Sequence, residues 1–215
     1  MPIVSRKRQR RTNPFLYDRK FMPLAENYLE SITKQFEYYK LLGERTFNQL
    51  SDDQLFWQFN DESNSIAIIV NHLSGNMKSR WTQFLTSDGE KEWRNREKEF
   101  ESVIQSREEL LEYWAAGWDC VFKALNTITA ENFNTQVYIR NQGHTIMEAV
   151  HRQFAHYAYH IGQVVYIGSM LKGKEWESLS IPKGKSSDFN KEKFSKDKHK
   201  AHFTDEILDN KNRPN

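Results

Sequence analysis

Three histidines have the residue type and spacing to bind a metal ion. His156 and His160 lie four residues apart in the segment AHYAYHIGQ, and His72 lies far upstream in IIVNHLSGN. Residues four apart project from the same side of a helix, so both imidazoles can reach one point in space. A third histidine from another helix would complete a site with three nitrogen ligands and an open position for water or substrate. The alternatives are a surface pair and a buried, hydrogen-bonded histidine.

Helices are the elements that must position these side chains. Apolar residues recur at intervals of three and four over residues 23–49, 65–86, 107–127 and 145–171, which predicts four long amphipathic helices. The second helix contains His72, and the fourth contains the histidine pair; in both helices they lie on a small or polar strip beside the apolar face. We therefore predict an all-α protein, a four-helix bundle, with the metal site between facing helices in its interior.

The segments between and beyond these helices are polar. Residues 87–101 form a long, highly charged crossover between the second and third helices, and residues 135–144 predict a short extended piece. We expect three parts: a basic, flexible extension over residues 1–22, the bundle over 23–176, and a polar tail over 177–215. The basic run at residues 6–11 is interpreted as a solvated tail, with nucleic-acid contact as the alternative.

Composition limits the classes of function. Hydrophobic residues make up 38% of the 215, and no stretch approaches the ~20 apolar residues of a membrane span. The first residues lack the apolar core of a secretory signal, and the single cysteine, Cys120, fits a reducing cytoplasm. A net charge of +2 does not favour a nucleic-acid partner. Exposed aromatic residues such as Trp93 and Trp176 are candidates for a homodimer contact.

Three further polar residues are candidates for the site. Gln163 lies one turn after His160 and Asn76 one turn after His72, where each could bond the second nitrogen of a metal-bound histidine. An ordinary hydrogen bond between helices is the alternative for both. Arg140, just before the fourth helix, is a candidate for binding a substrate carboxylate, with a surface arginine as the alternative. No nucleophile or general base is identified, since a buried inert thiol is expected for Cys120.

Several segments resemble the DinB/YfiT superfamily of metal-dependent four-helix bundles, and more narrowly a branch of small bacterial DinB-like proteins. They are NSIAIIVNHLSGNMKSRW, DGEKEWRNREKEF and IRNQGHTIMEAVHRQFAHYAYHIGQVVY, within a similarity that covers roughly residues 24–176. The family pattern has one histidine on the second helix and H-x-x-x-H followed by Gly-Gln on the fourth. Here these positions are His72, His156, His160 and Gly162-Gln163.

The resemblance implies more than the spacing does. It implies that His72, His156 and His160 bind a divalent ion, nickel or zinc, and that the bundle runs up-down-down-up, a topology that needs the long crossover. Relatives in that superfamily include transferases and isomerases that use low-molecular-weight thiols. We therefore expect a metal-dependent thiol S-transferase acting on a small electrophile. A non-catalytic, metal-binding stress-response bundle and a metal-dependent hydrolase are the alternatives.

Overall fold

The computed structural model describes residues 23–209, and this part of the chain is mostly helical, as predicted. The basic run at residues 6–11 lies outside the described residues. Two 3-10 turns (Glu97–Phe100 and Gly173–Glu175) and one hairpin of strands β1 (Gln136–Ile139) and β2 (Gln142–Thr145) accompany the helices. The helices are α1 (Leu24–Gln49), α2 (Asp52–Phe56), α3 (Ile66–Trp81), α4 (Arg107–Leu125), α5 (Ile146–Lys172), α6 (Ser186–Phe194) and α7 (Asp205–Asp209).

Local capping explains where the long helices begin and end. Ser65 accepts the backbone N–H of Ile68 at the start of α3. Thr145 and Glu148 form a capping box at the start of α5, and Gly173, with φ 56°, ends that helix. The prediction was wrong at the end of α3, which stops at Trp81 rather than near residue 86. There Thr82 is extended and Gln83 has a positive φ of 50°.

The core lies where the four long helices meet. Helix α3 packs against α4 and α5, and α1 packs against α5 and α4. Fourteen of the sixteen residues of α3 are buried, so this helix is central and polar side chains on it face the interior. The fully buried Phe36 of α1 contacts the rings of Trp81, Trp118 and Tyr157 from three other helices. The contacts with Trp81 and Trp118 are edge-to-face, and all three add to the apolar burial that stabilises the fold.

The hairpin stands immediately before α5. Its strands are antiparallel, with Val137 opposite His144, and the turn residues Arg140 and Asn141 have φ values of 55° and 60°. Positive φ at both central residues is the turn geometry that matches the twist of a two-residue hairpin. The predicted short extended piece, residues 135–144, is thus a hairpin of two strands that leads directly into the helix with the histidine pair.

The segment after residue 177, predicted to be a polar tail, contains two short helices. Helix α7 contacts α1, where His202 and Ser31 are hydrogen-bonded at 3.0 Å and Asp205 pairs with Lys34 at 2.9 Å. Thr204 between them is fully buried. These contacts join residues more than 150 positions apart, which no local pattern could indicate. None of the helices in the described part of the chain is both long and apolar enough to cross a membrane.

Candidate metal centre

The structure brings the three predicted histidines together. The Nε2 atom of His156 lies 3.2 Å from Nε2 of His72 and 3.1 Å from Nε2 of His160. All three ligand nitrogens lie within 4.8 Å of one another. Nitrogen ligands at about 2.0–2.1 Å from a tetrahedral ion would be about 3.4 Å apart, and slightly closer in octahedral geometry. The observed spacing therefore fits one ion bound by three imidazoles.

Two helices place these rings. The buried residues Ala149, Gln153 and His160 show that the predicted polar strip of α5 faces the interior. On α3, His72 is only 4% exposed. The ring of Phe100, from the crossover, stacks on His72 with centroids 4.6 Å apart and thereby covers one face of this ligand. Covering the ligand limits the access of water to the site from that side.

In His72 and His160, the hydrogen bond made by Nδ1 leaves Nε2 as the nitrogen that can bind a metal. His72 Nδ1 lies 2.9 Å from Oε2 of Glu99, and His160 Nδ1 lies 2.7 Å from Oε1 of Gln163. An ionised carboxylate and an amide oxygen only accept hydrogen bonds, so both Nδ1 atoms are the donors. In the neutral rings, Nε2 then has a lone pair, and in both histidines it points to the same place as Nε2 of His156.

The electrostatics keep two of the three histidines, His156 and His160, neutral. Burial, reinforced by the charges of His160 and His72, lowers the pKa of His156 to about 3. Burial likewise lowers the pKa of His160 to about 4, against the opposing effect of its hydrogen bond to Gln163. Imidazoles must be unprotonated to bind a metal, so near neutral pH His156 and His160 are already in the binding form.

Asn76 forms an ordinary hydrogen bond between helices, which was the alternative to a role beside His72. Its Oδ1 accepts a hydrogen bond from the hydroxyl of Tyr157 at 3.1 Å, across two helices. The position next to His72 is taken by Glu99 instead, because the crossover approaches α3 on the side of Nδ1. Gln163, by contrast, lies where we expected it, and its amide nitrogen donates to the hydroxyl of Tyr159 at 3.2 Å.

Arg140 does not have a free guanidinium. It lies in the hairpin turn, where Nε donates to Glu90 Oε2 at 3.1 Å and the backbone N–H donates to Asp88 at 2.8 Å. Arg140 thus attaches the hairpin to the crossover, and its side chain is 56% exposed, as in the alternative of a surface arginine.

Sequence reasoning missed two residues of the centre, Glu99 and Arg94. Both side chains are buried, with 6% and 2% of their surface exposed, in the segment predicted only as a charged crossover. Glu99 has the same residue type as several exposed neighbours in this segment. The one available signal was the adjacent Phe100, an apolar residue that a fully solvated crossover would not need.

Aromatic residues line a separate apolar cavity of about 410 Å³. Its walls include Trp81 at the end of α3, Phe84 and Leu85 just after it, and the half-buried Cys120 from α4. None of the three histidines lines this cavity. The thiol is therefore placed apart from the metal centre.

Comparison with known proteins identifies one family. A family described as "Protein of unknown function (DUF1572)" matches residues 23–185. The chain belongs to this family. No curated protein and no solved structure matches the chain.

The match to the DUF1572 family includes every residue of the centre. His72, Glu99, His156, His160 and Gln163 all lie within it. It ends one residue before α6, so the two short helices that follow lie beyond the matched region. The family assignment thus covers the four long helices, the crossover and the hairpin.

Proposed function

We propose that His72, His156 and His160 bind a divalent metal ion, nickel or zinc, as the functional centre of the protein. The observation that supports this most directly is the convergence of three Nε2 atoms, two of them with their Nδ1–H groups donated to acceptors. Without a cation, the one Nε2–H that a neutral His156 can offer would face two lone pairs, those of His72 and His160, and one of them would lack a full partner. Imidazole ligands suit both metals.

We further propose that the fold is an up-down-down-up, DinB/YfiT-like four-helix bundle. The packing of α1 on α5 and α4, and of α3 on α4 and α5, supports it, because each long helix then has two neighbours around a common core. The crossover between α3 and α4 supports the same topology, since a parallel step between helices needs a long connection.

The reaction that we propose is the transfer of a low-molecular-weight thiol to a small electrophile. Three protein ligands leave at least one coordination position for another molecule. A bound divalent ion would supply Lewis acidity, which favours the deprotonated form of a thiol or water. A carbon–sulfur bond forms, the leaving group departs with the electrons of the bond that breaks, and the thiol proton passes to solvent. The nucleophile comes from the cosubstrate, since Cys120 lies apart from the centre.

The protein's own residues contribute binding and orientation. The histidines hold the ion, Glu99 and Gln163 orient two of the rings, and Phe100 covers His72. We assign no side chain as a proton donor or acceptor in the reaction. The single cysteine fits a reducing cytoplasm, where small thiols remain reduced.

Substitution of His160 tests the metal site. His160→Ala removes one of three ligands, and we expect stoichiometric metal to be lost and affinity for Zn²⁺ to fall by more than about 100-fold, since loss of a supporting partner alone costs roughly 10–100-fold. Metal analysis of tag-free protein measures the loss. His199→Ala, in the exposed C-terminal segment, is the control and should retain metal. Full metal content in His160→Ala would refute the three-histidine site.

A screen for turnover separates the proposed reaction from its alternatives. Metal-loaded protein is incubated with small thiols and electrophiles, and separately with ester substrates. Conjugation that is lost in His160→Ala supports the transferase. Ester cleavage without conjugation would favour a metal-dependent hydrolase, and bound metal without either activity would favour a non-catalytic, metal-binding stress-response protein.

A further inference from the structure

The crossover is attached to the metal centre by one buried carboxylate. Glu99 lies in the 3-10 turn Glu97–Phe100, and its Oε2 accepts the Nδ1–H of His72 at 2.9 Å. The backbone of the same turn is attached to α3, because the side-chain amide of Asn71 donates to the carbonyl oxygens of Lys98 and Glu99, each at 3.1 Å. The turn is thus joined to α3 by its backbone as well as by the carboxylate of Glu99.

A buried arginine determines the orientation of this carboxylate. Arg94 donates from Nε to Glu99 Oε1 at 2.7 Å and from Nη2 to Oε2 at 2.8 Å. Such a two-point contact sets the plane of the carboxylate as well as its distance. Burial alone would raise the pKa of Glu99, but the hydrogen bonds from His72 and Arg94 outweigh it and keep the pKa below its ordinary value. Because both of its oxygens accept hydrogen bonds from a buried guanidinium, the carboxylate of Glu99 is a strong acceptor for His72.

We infer that Glu99, oriented by Arg94, is a positioning residue that sets the metal affinity of His72. This inference rests on the proposed metal site. An anionic acceptor at Nδ1 keeps the proton on that nitrogen, points Nε2 at the ion and increases its basicity. The affinity of the site then depends on a segment that supplies no ligand, the charged crossover.

The absence of a side chain at Gly75 leaves space on α3 for the carboxylate of Glu99. Gly75 is one turn after His72, and a Cβ atom there would lie 2.5 Å from Glu99 Oε1 and 2.8 Å from its carboxyl carbon. Any larger residue at position 75 must therefore move the carboxylate, which is the end of a flexible side chain. Position 75 offers a way to displace Glu99 without removing any charge or ligand.

The first test replaces the acceptor itself. In Glu99→Gln, we expect affinity for Zn²⁺, measured by competition with a chromophoric chelator, to fall roughly 10–100-fold. Glu97→Gln is the matched control, because this glutamate lies in the same turn with a side chain that is 88% exposed. Affinity in Glu99→Gln within twofold of the wild type would overturn the inference.

The second test displaces Glu99 and leaves its charge in place. Gly75→Ala should weaken Zn²⁺ binding and shift the visible absorption bands of the Co²⁺-loaded protein, which report on the ligand field of the three histidines. Gly162→Ala, also on a helix and two residues from His160, is the control, since a Cβ atom there would meet nothing within 4 Å. Identical Co²⁺ spectra and Zn²⁺ affinities for Gly75→Ala and wild type would overturn the inference, and this variant decides the question if Glu99→Gln does not fold.

The two proposals fail in different ways. If the wild-type protein binds neither Zn²⁺ nor Co²⁺, the metal site itself is wrong. If the wild type and Glu97→Gln bind metal tightly and Glu99→Gln binds equally well, the metal site stands and the role of Glu99 is wrong.

Discussion

The hydroxyl of Tyr157 is the centre of a buried hydrogen-bond chain beside the proposed metal site. Trp81 Nε1 donates to this oxygen at 2.8 Å, and the hydroxyl donates to Asn76 Oδ1 at 3.1 Å. Tyr157 is fully buried, and burial raises the pKa of its hydroxyl, so it remains protonated. The chain joins α3 to α5 one residue away from His156, and thus contributes to the alignment of the two helices that supply the ligands.

Removing this hydroxyl should destabilise the protein. Tyr157→Phe retains the ring but leaves Trp81 Nε1 and Asn76 Oδ1 without this buried partner, a change that costs about 1–3 kcal/mol. We expect the free energy of unfolding, measured by urea titration, to fall by that amount. Tyr166→Phe, at a position 69% exposed, is the control and should change it by less than about 0.5 kcal/mol. Equal stability of the two variants would contradict this account of the chain.

Among the elements, the hairpin depends on a carboxylate from the start of the crossover. Asp88 accepts the backbone N–H groups of Arg140 and Asn141, each at 2.8 Å, and that of Glu90 at 2.7 Å. Burial alone would raise the pKa of Asp88, but these backbone hydrogen bonds outweigh it and lower the pKa below its ordinary value. Because α5 follows directly after the hairpin, this contact also helps to place the start of the helix that contains His156 and His160.

The contribution of Asp88 to stability should depend on pH. Asp88→Asn removes the charge and one acceptor oxygen, and we expect a loss of about 1–2 kcal/mol at pH 7. Because the folded-state pKa is lowered, the contribution is fully present above the unfolded pKa of about 4 and is lost as pH falls through the folded value. Urea titrations of both proteins between neutral and acid pH should therefore converge at low pH.

A matched control uses an exposed aspartate. Asp119 pairs with Lys123 one turn along α4, with 54% of its side chain exposed. Asp119→Asn should change stability by less than about 0.5 kcal/mol at any pH. A pH-independent deficit in Asp88→Asn would show that its carboxylate charge is not what supports the hairpin.

Over the whole molecule, the proposed site joins parts of the chain that are far apart in sequence. His72 and His156 are separated by 84 positions in the sequence. The crossover, which lies between them in the sequence, is attached to His72 through Glu99. An unfolded chain does not hold these groups together, so a metal ion at the proposed site would bind the folded state almost exclusively. Metal binding and folding are then linked equilibria.

Zinc should therefore stabilise the folded protein. At a free Zn²⁺ concentration 100 times Kd, the expected gain is about 2.7 kcal/mol. For a chain of this length, that gain corresponds to a rise in Tm of about 5–10 °C. Thermal unfolding followed by circular dichroism measures it, and the rise should grow with zinc concentration. His72→Ala should show no such rise; an equal rise in that variant would mean that zinc acts at another place.

What the sequence determined was local. The apolar periodicity over residues 65–86 and 145–171 predicts α3 and α5, and the four-residue spacing of His156 and His160 places both rings on one side of a helix. Periodicity and capping depend on residues a few positions apart, so they can be interpreted without the fold. The match of His72 to the fourth-helix pair required the family resemblance as well.

Only the tertiary structure decided which polar groups meet. Asn76 bonds Tyr157 rather than His72, and Glu99, similar in type to its exposed neighbours, is the acceptor for His72. Arg140 attaches the hairpin to the crossover through Glu90. Helix α7 packs against α1, although the two helices are far apart in the sequence. Each of these pairs forms because the packing of the helices brings the two groups within hydrogen-bond distance. The packing depends on the arrangement of the whole chain, so the spacing of residues along one segment cannot predict the pair.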